Sequence, residues 1–104
     1  MAVPPLDGEA RRRALAKAAE ARRTRADVKR ALKQGEIGLS ELFDRSGDSE
    51  AIANLRVTEL LQSIPDHGPA RAARLMAELD IASSRRVRGL GPRQRRALIA
   101  AVGG

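Results

Sequence analysis

Residues 9–33, EARRRALAKAAEARRTRADVKRALK, run without a single Gly or Pro and are built almost entirely from Ala, Arg, Lys and Glu. These are the strongest helix formers, so this stretch predicts one long helix, reaching nearly 40 Å at about 1.5 Å per residue. Asp7 is placed to cap its start, Glu9 sits near the positive end of its dipole, and Lys33 occupies the last turn before Gly35 stops it. Apolar side chains are unevenly spread along it. Val28 and Leu32 form an i, i+4 pair near the end, whereas the first half offers mostly alanines and Leu15. Only the C-terminal half is expected to dock. The N-terminal half, with Arg11, Arg12, Arg13, Arg22 and Arg23, is expected to project, either solvated or laid on something acidic.

Beyond Gly38 the pattern changes to short amphipathic segments. Leu39, Leu42 and Phe43 share one helical face, Asp48 is placed to cap a piece holding Ile52 and Leu55, and Val57, Leu60, Leu61 and Ile64 follow before Pro65. Ala72, Leu75, Met76 and Leu79 repeat that spacing, and Leu98, Ile99 and Val102 give most of it again. No useful length alternates with period two. The expected fold is all-α, a long basic N-terminal helix with a compact bundle of short helices, about five or six in all. Its division is read as a tail over 1–6, the long helix over 7–35 and a compact helical nucleic-acid-binding unit over 36–104.

Charge is segregated along the chain, and this narrows the function. Residues 1–34 carry ten Lys/Arg against four Asp/Glu, residues 35–68 two against seven, and residues 69–104 eight against two. Clustered like charges repel within a folded surface, so two basic ends point to a polyanionic partner that absorbs the repulsion. Arginine outnumbers lysine seventeen to three, which a GC-rich genome would also produce, but such a bias does not explain the acidic middle. The chain has no cysteine and one histidine, leaving no disulfide framework, thiolate metal site or cysteine nucleophile. No activated nucleophile or metal-ligand set is found, so neither an enzyme nor a cofactor or metal is expected. With no apolar signal core and no membrane-length apolar window, a cytoplasmic protein without membrane or small-molecule partners is expected.

The chain makes one kind of helix start twice. GPARAARLMAEL (68–79) and GPRQRRALIAAV (91–102) align, with apolar residues seven, eight and eleven places after each Gly. Glycine accepts the irregular backbone of an N-cap and proline is preorganised for the first helical turn. A common helix start accounts for part of this match. The rest is chemistry: a helix start exposes unpaired N–H groups at a positive dipole end, and a glycine lets a phosphate come close. Around the two turns stand Arg71, Arg74, Arg85, Arg86, Arg88, Arg93, Arg95 and Arg96. Arginine's planar fork suits phosphate oxygens.

IPDHGPARAARLMAELDI resembles a helix-hairpin-helix of the helix-two-turn-helix class, and SSRRVRGLG after it is close to a signature of the actinobacterial integration host factors. VPPL near the start, AARRTRADVKRALK in the first helix and VTELLQSIP before the hairpin extend the likeness over residues 3 to about 100. The resemblance implies a nucleoid-associated protein that binds duplex DNA with little sequence preference, bends or constrains it, and assists phage site-specific recombination. Carried over by position, it implies DNA contacts at Arg22, Arg23, Arg25, Lys29 and Lys33, at Gly68 and Arg71, and at Arg85, Arg86, Arg88 and Gly91. Arg74 and Arg93 join them from the clusters around the turns. The family pattern has Gly, an apolar residue and lysine where this chain has Asp66, His67 and Pro69. Asp66 would repel a phosphate and Pro69 lacks both a charge and an N–H, so the first turn is expected to bind more weakly and the second to carry more of the load. His67 reads either as a phosphate contact strengthened by protonation or as a surface loop residue.

Double-stranded DNA is the expected partner, bound by a monomer, with phage integrase–DNA complexes as a further one and the nucleoid as the place. Phe43, the sole aromatic, lies on an apolar face, leaving no stacking platform for single strands. A structured-RNA-binding or ribosomal protein is the alternative. A protein-interaction module built on the acidic middle is compatible with either.

Overall fold

The computed structural model describes residues 8–103, so the N-terminal tail and the Asp7 cap lie outside the described residues. Six α-helices follow in order: α1 Gly8–Lys33, α2 Leu39–Ser46, α3 Glu50–Ala53, α4 Val57–Ser63, α5 Pro69–Glu78 and α6 Pro92–Val102, with a 3-10 turn at Val87–Gly89 before α6. The long Gly/Pro-free run is therefore one helix. It ends where Gly35 turns left-handed (φ 74°) and the Glu36 N–H reaches back to the Ala31 carbonyl at 2.9 Å.

Val28, Ala31 and Leu32 are the buried residues of α1, and the helix packs on α3 and α4. Residues 11–18 are all exposed, and Leu15 retains 63% of its surface. The molecule is correspondingly elongated, 52 × 30 × 24 Å. The core gathers Leu39, Leu42 and Phe43 from α2, Ile52, Leu55, Val57, Leu60 and Leu61 from the middle, and Ala72, Met76, Ile81, Val87, Leu90 and Leu98 from the second half. Helical spacing marked these positions except Ile81, Val87 and Leu90, which lie outside the regular α-helices.

Two local expectations are corrected. Ser49, not Asp48, caps α3: its hydroxyl accepts the Ile52 N–H at 3.3 Å, while the Asp48 N–H is taken up by Arg45 in the turn after α2. Leu55 lies beyond α3. The Val57 N–H donates to Arg85 O (3.0 Å) and the Val87 N–H to Leu55 O (2.9 Å). This antiparallel bridge between Arg56 and Arg86 ties the entrance of α4 to the basic turn.

Candidate nucleic-acid interface

The two Gly-Pro motifs are helix starts. Gly68 and Gly91 are the N-caps of α5 and α6, each with Pro next in the first turn. The first bonds back to the caps come from Ala72 and Arg95, at 2.9 and 3.0 Å. The intervening amides of Ala70 and Arg71, and of Arg93 and Gln94, are thus the orphan donors of each helix start. Gly68 has φ −82°, and a Cβ built there would meet nothing within 4 Å. Neither backbone conformation nor internal packing calls for glycine at that position. Its bare surface is open to an outside group.

The hairpin before α5 turns on Pro65 and Asp66. The His67 N–H closes on Ile64 O at 3.1 Å, and Asp66 takes φ 67°, as the third residue of a type II turn does. Glycine is the easy residue there. Arg71 Nη1 donates to Asp66 O at 3.1 Å, bracing the turn from α5, and His67 Nδ1 lies 3.0 Å from Pro65 O.

On α1, Arg22, Arg25, Lys29 and Lys33 recur at intervals of three, four and four, which places them along one face. Arg23 points elsewhere, about 100° round the helix from Arg22. Glu9, Glu20 and Asp27, the acidic residues of α1, are spaced by eleven and seven and form a stripe on the far side from Arg22 and Lys29. The basic face meets the rest of the molecule at two concavities. One is lined by Lys33, Asp66, His67 and Gly68, joining the end of the α1 stripe to the first helix start. The other gathers Arg25, Arg56 and Arg86 around Leu55 and Glu59. Arg71 and Arg74 line a third hollow with His67 and Glu78, on the flank of α5.

The structure thus unites Arg25 with Arg86 and Lys33 with Gly68. It does not bring every basic residue together: Arg88 reaches across to Glu50 at 3.4 Å, and Arg86 Nη1 also donates to Asn54 O at 2.6 Å. Arg56 was missed by sequence reasoning. It stands in the acidic middle of the chain, and only the bridge to Arg86 brings it to the basic side. The second helix start is partly occupied from within, since Gln94 Oε1 accepts the Gly91 N–H at 3.0 Å. Phe43 is buried, 5.4 Å beneath the Arg95 guanidinium, and is no platform for a base.

Residues 32–102 match the S13-like H2TH domain family. The integration host factor of Mycobacterium tuberculosis is 44% identical over 99% of this chain and 98% of its own length. That of Streptomyces coelicolor is 47% identical over 90% of this chain and 88% of its own. The chain belongs to the integration host factor family. A solved structure of sIHF bound to an 8-bp palindromic DNA is 42% identical, with a TM-score of 0.80 over 84% of this chain and 98% of that one. The helix-two-turn-helix family match begins at Leu32, so the projecting part of α1 lies outside it, yet the integration host factor of M. tuberculosis aligns through that part as well. Among the described residues no helix is long and apolar enough to cross a membrane.

Proposed function

We propose that this protein is a DNA-architectural protein that grips the sugar-phosphate backbone of a duplex, with little regard for sequence, and bends or constrains it. The observation that carries this reading is the likeness, at 42% identity, to a chain whose solved structure holds duplex DNA. The geometry supports it: the basic face of α1 adjoins both the Gly68 helix start and the Arg56–Arg86 bridge. Contacts are assigned to Arg22, Arg25, Lys29 and Lys33 along one face of α1, with Arg23 on a neighbouring face, to Gly68, Arg71 and Arg74 on the hairpin side, and to Arg86, Arg88, Gly91 and Arg93 around the second helix start; Arg85, also expected there, is left out because its guanidinium donates to Gly89 O. Arg56 is added to that set. Asp66 and Glu59 lie within it and weaken it.

No side chain here is arranged as a base reader. The amide nearest the basic turn, Gln94, is turned inward onto the Gly91 N–H. Sequence preference therefore comes from duplex bendability. The protein acts as a monomer without cofactor, in the nucleoid, and assists phage integrase complexes by shaping their DNA.

Neutralising six to eight phosphates predicts that log K falls with log salt at a slope of about −5 to −7. Titration of unrelated duplexes at several salt concentrations, with circular ligation of short fragments, measures affinity, selectivity and bending. A slope near −1 refutes the reading. A clear preference for structured ribosomal RNA at matched salt replaces it with the RNA-binding alternative.

A further inference from the structure

The arginines between residues 85 and 96 divide into two kinds. Arg85 and Arg95 are half-buried, and their guanidinium groups are turned onto the protein's own backbone. Arg85 Nη1 donates to Gly89 O at 2.9 Å and stands 3.4 Å from Gln94 Oε1, which accepts the Gly91 N–H at 3.0 Å. Its stem lies on Gly89, where a Cβ would come within 2.8 Å of Arg85 Cδ. Arg95 approaches Leu90 O (3.4 Å) through Nε and Val87 O (3.3 Å) through Nη2, while its guanidinium covers the Phe43 ring at 5.4 Å. Arg93 and Arg96, by contrast, are exposed and without an intramolecular partner among the described residues.

We infer that Arg85, Gln94 and Arg95 are positioning residues: they clamp the segment 87–91 so that Arg88, Arg93 and the α6 helix start meet a duplex already in place. This rests on the duplex-binding reading above. Within the segment Val87 O takes the Leu90 N–H at 3.0 Å, but Gly89 O and Leu90 O receive no backbone donor among the described residues. Ordering backbone on binding costs free energy, so a turn fixed before binding spares the complex that cost. Arg85 and Arg95 supply the missing donors, and Gln94 links Arg85 to the first turn of α6. The charge cluster over residues 85–96 is therefore part contact and part scaffold.

The test pairs the salt dependence of binding to an unrelated fluorescent duplex with amide exchange of the DNA-free protein. Arg85→Lys keeps the charge and loses the fork; it is expected to weaken binding about fivefold, with unchanged salt slope and faster exchange at Gly89 and Gly91. Gln94→Ala, which alters no charge, should behave alike. Arg93→Ala should lower the slope by about 0.9 with exchange unchanged. Parental affinity in Arg85→Lys or in Gln94→Ala overturns the inference, as does an Arg85→Ala slope reduced by about 0.9 with unchanged exchange. Exchange is measured without DNA, so a flat salt response of the parent protein removes the duplex reading and leaves the clamp to be decided by exchange alone.

Discussion

Asp66 and Gly68 sit two residues apart in the hairpin and hold each other's expected conformations. Asp66 adopts the left-handed backbone (φ 67°), whereas Gly68 is extended at φ −82°, ψ −179°. A glycine in a conformation open to any residue, with empty space where its Cβ would be, is unnecessary to the free protein. Gly68→Ala is accordingly expected to change stability by less than about 1 kcal/mol, the entropy gained from the unfolded chain being offset by the poorer fit of alanine at an N-cap, and to weaken duplex binding because the methyl group occupies the path of the phosphate. Thermal unfolding and a binding titration on the same sample check both halves. Asp66→Asn keeps a residue that tolerates the left-handed turn and removes one negative charge beside the helix start. About threefold tighter binding at low salt is expected, fading as salt is raised; unchanged affinity would place the carboxylate away from the phosphate.

At the scale of elements, α1 serves two purposes along one cylinder. Its last turns carry Val28, Ala31 and Leu32 into the core, and its first turns are exposed. Leu32→Ala is expected to cost about 2–5 kcal/mol by leaving a cavity between α1 and the middle helices, read as a fall in the denaturant midpoint. Removing residues 1–20 tests the division of the chain into tail, arm and compact unit. The shortened protein should stay folded, because the apolar residues that dock α1 remain, and should bind or bend duplex less well. Loss of its helical signal and cooperative unfolding would make the arm a core element. The second corner is organised by a different device, a short antiparallel bridge that fastens residues 55–57 to 85–87.

For the whole molecule, what matters is how a chain with a formal net charge of +7 distributes it. The acidic stripe of α1 faces away from the basic one, and the acidic middle supplies Glu50 to Arg88 and Glu36 to Arg30, each at 3.4 Å on the surface. Such exposed pairs add little stability; their effect is to tie down part of the positive charge, leaving the α1 stripe, with the Gly68 helix start and Arg56 and Arg86 beside it, as the basic side. Much of this was legible beforehand. The long first helix, the two Gly-Pro starts, most core positions and the faces of α1 follow from backbone preference and side-chain period, interactions reaching only a few residues along the chain. Those features the amino-acid order determines unaided. The tertiary structure alone decided that Arg56 leaves the acidic middle for the basic side, and that Arg85 and Arg95 turn inward while Arg93 and Arg96 stay in solvent. Each of these choices depends on which donors and acceptors packing brings together, in the Arg56–Arg86 case across thirty residues, and charge identity along a sequence carries no record of where a guanidinium will find a carbonyl.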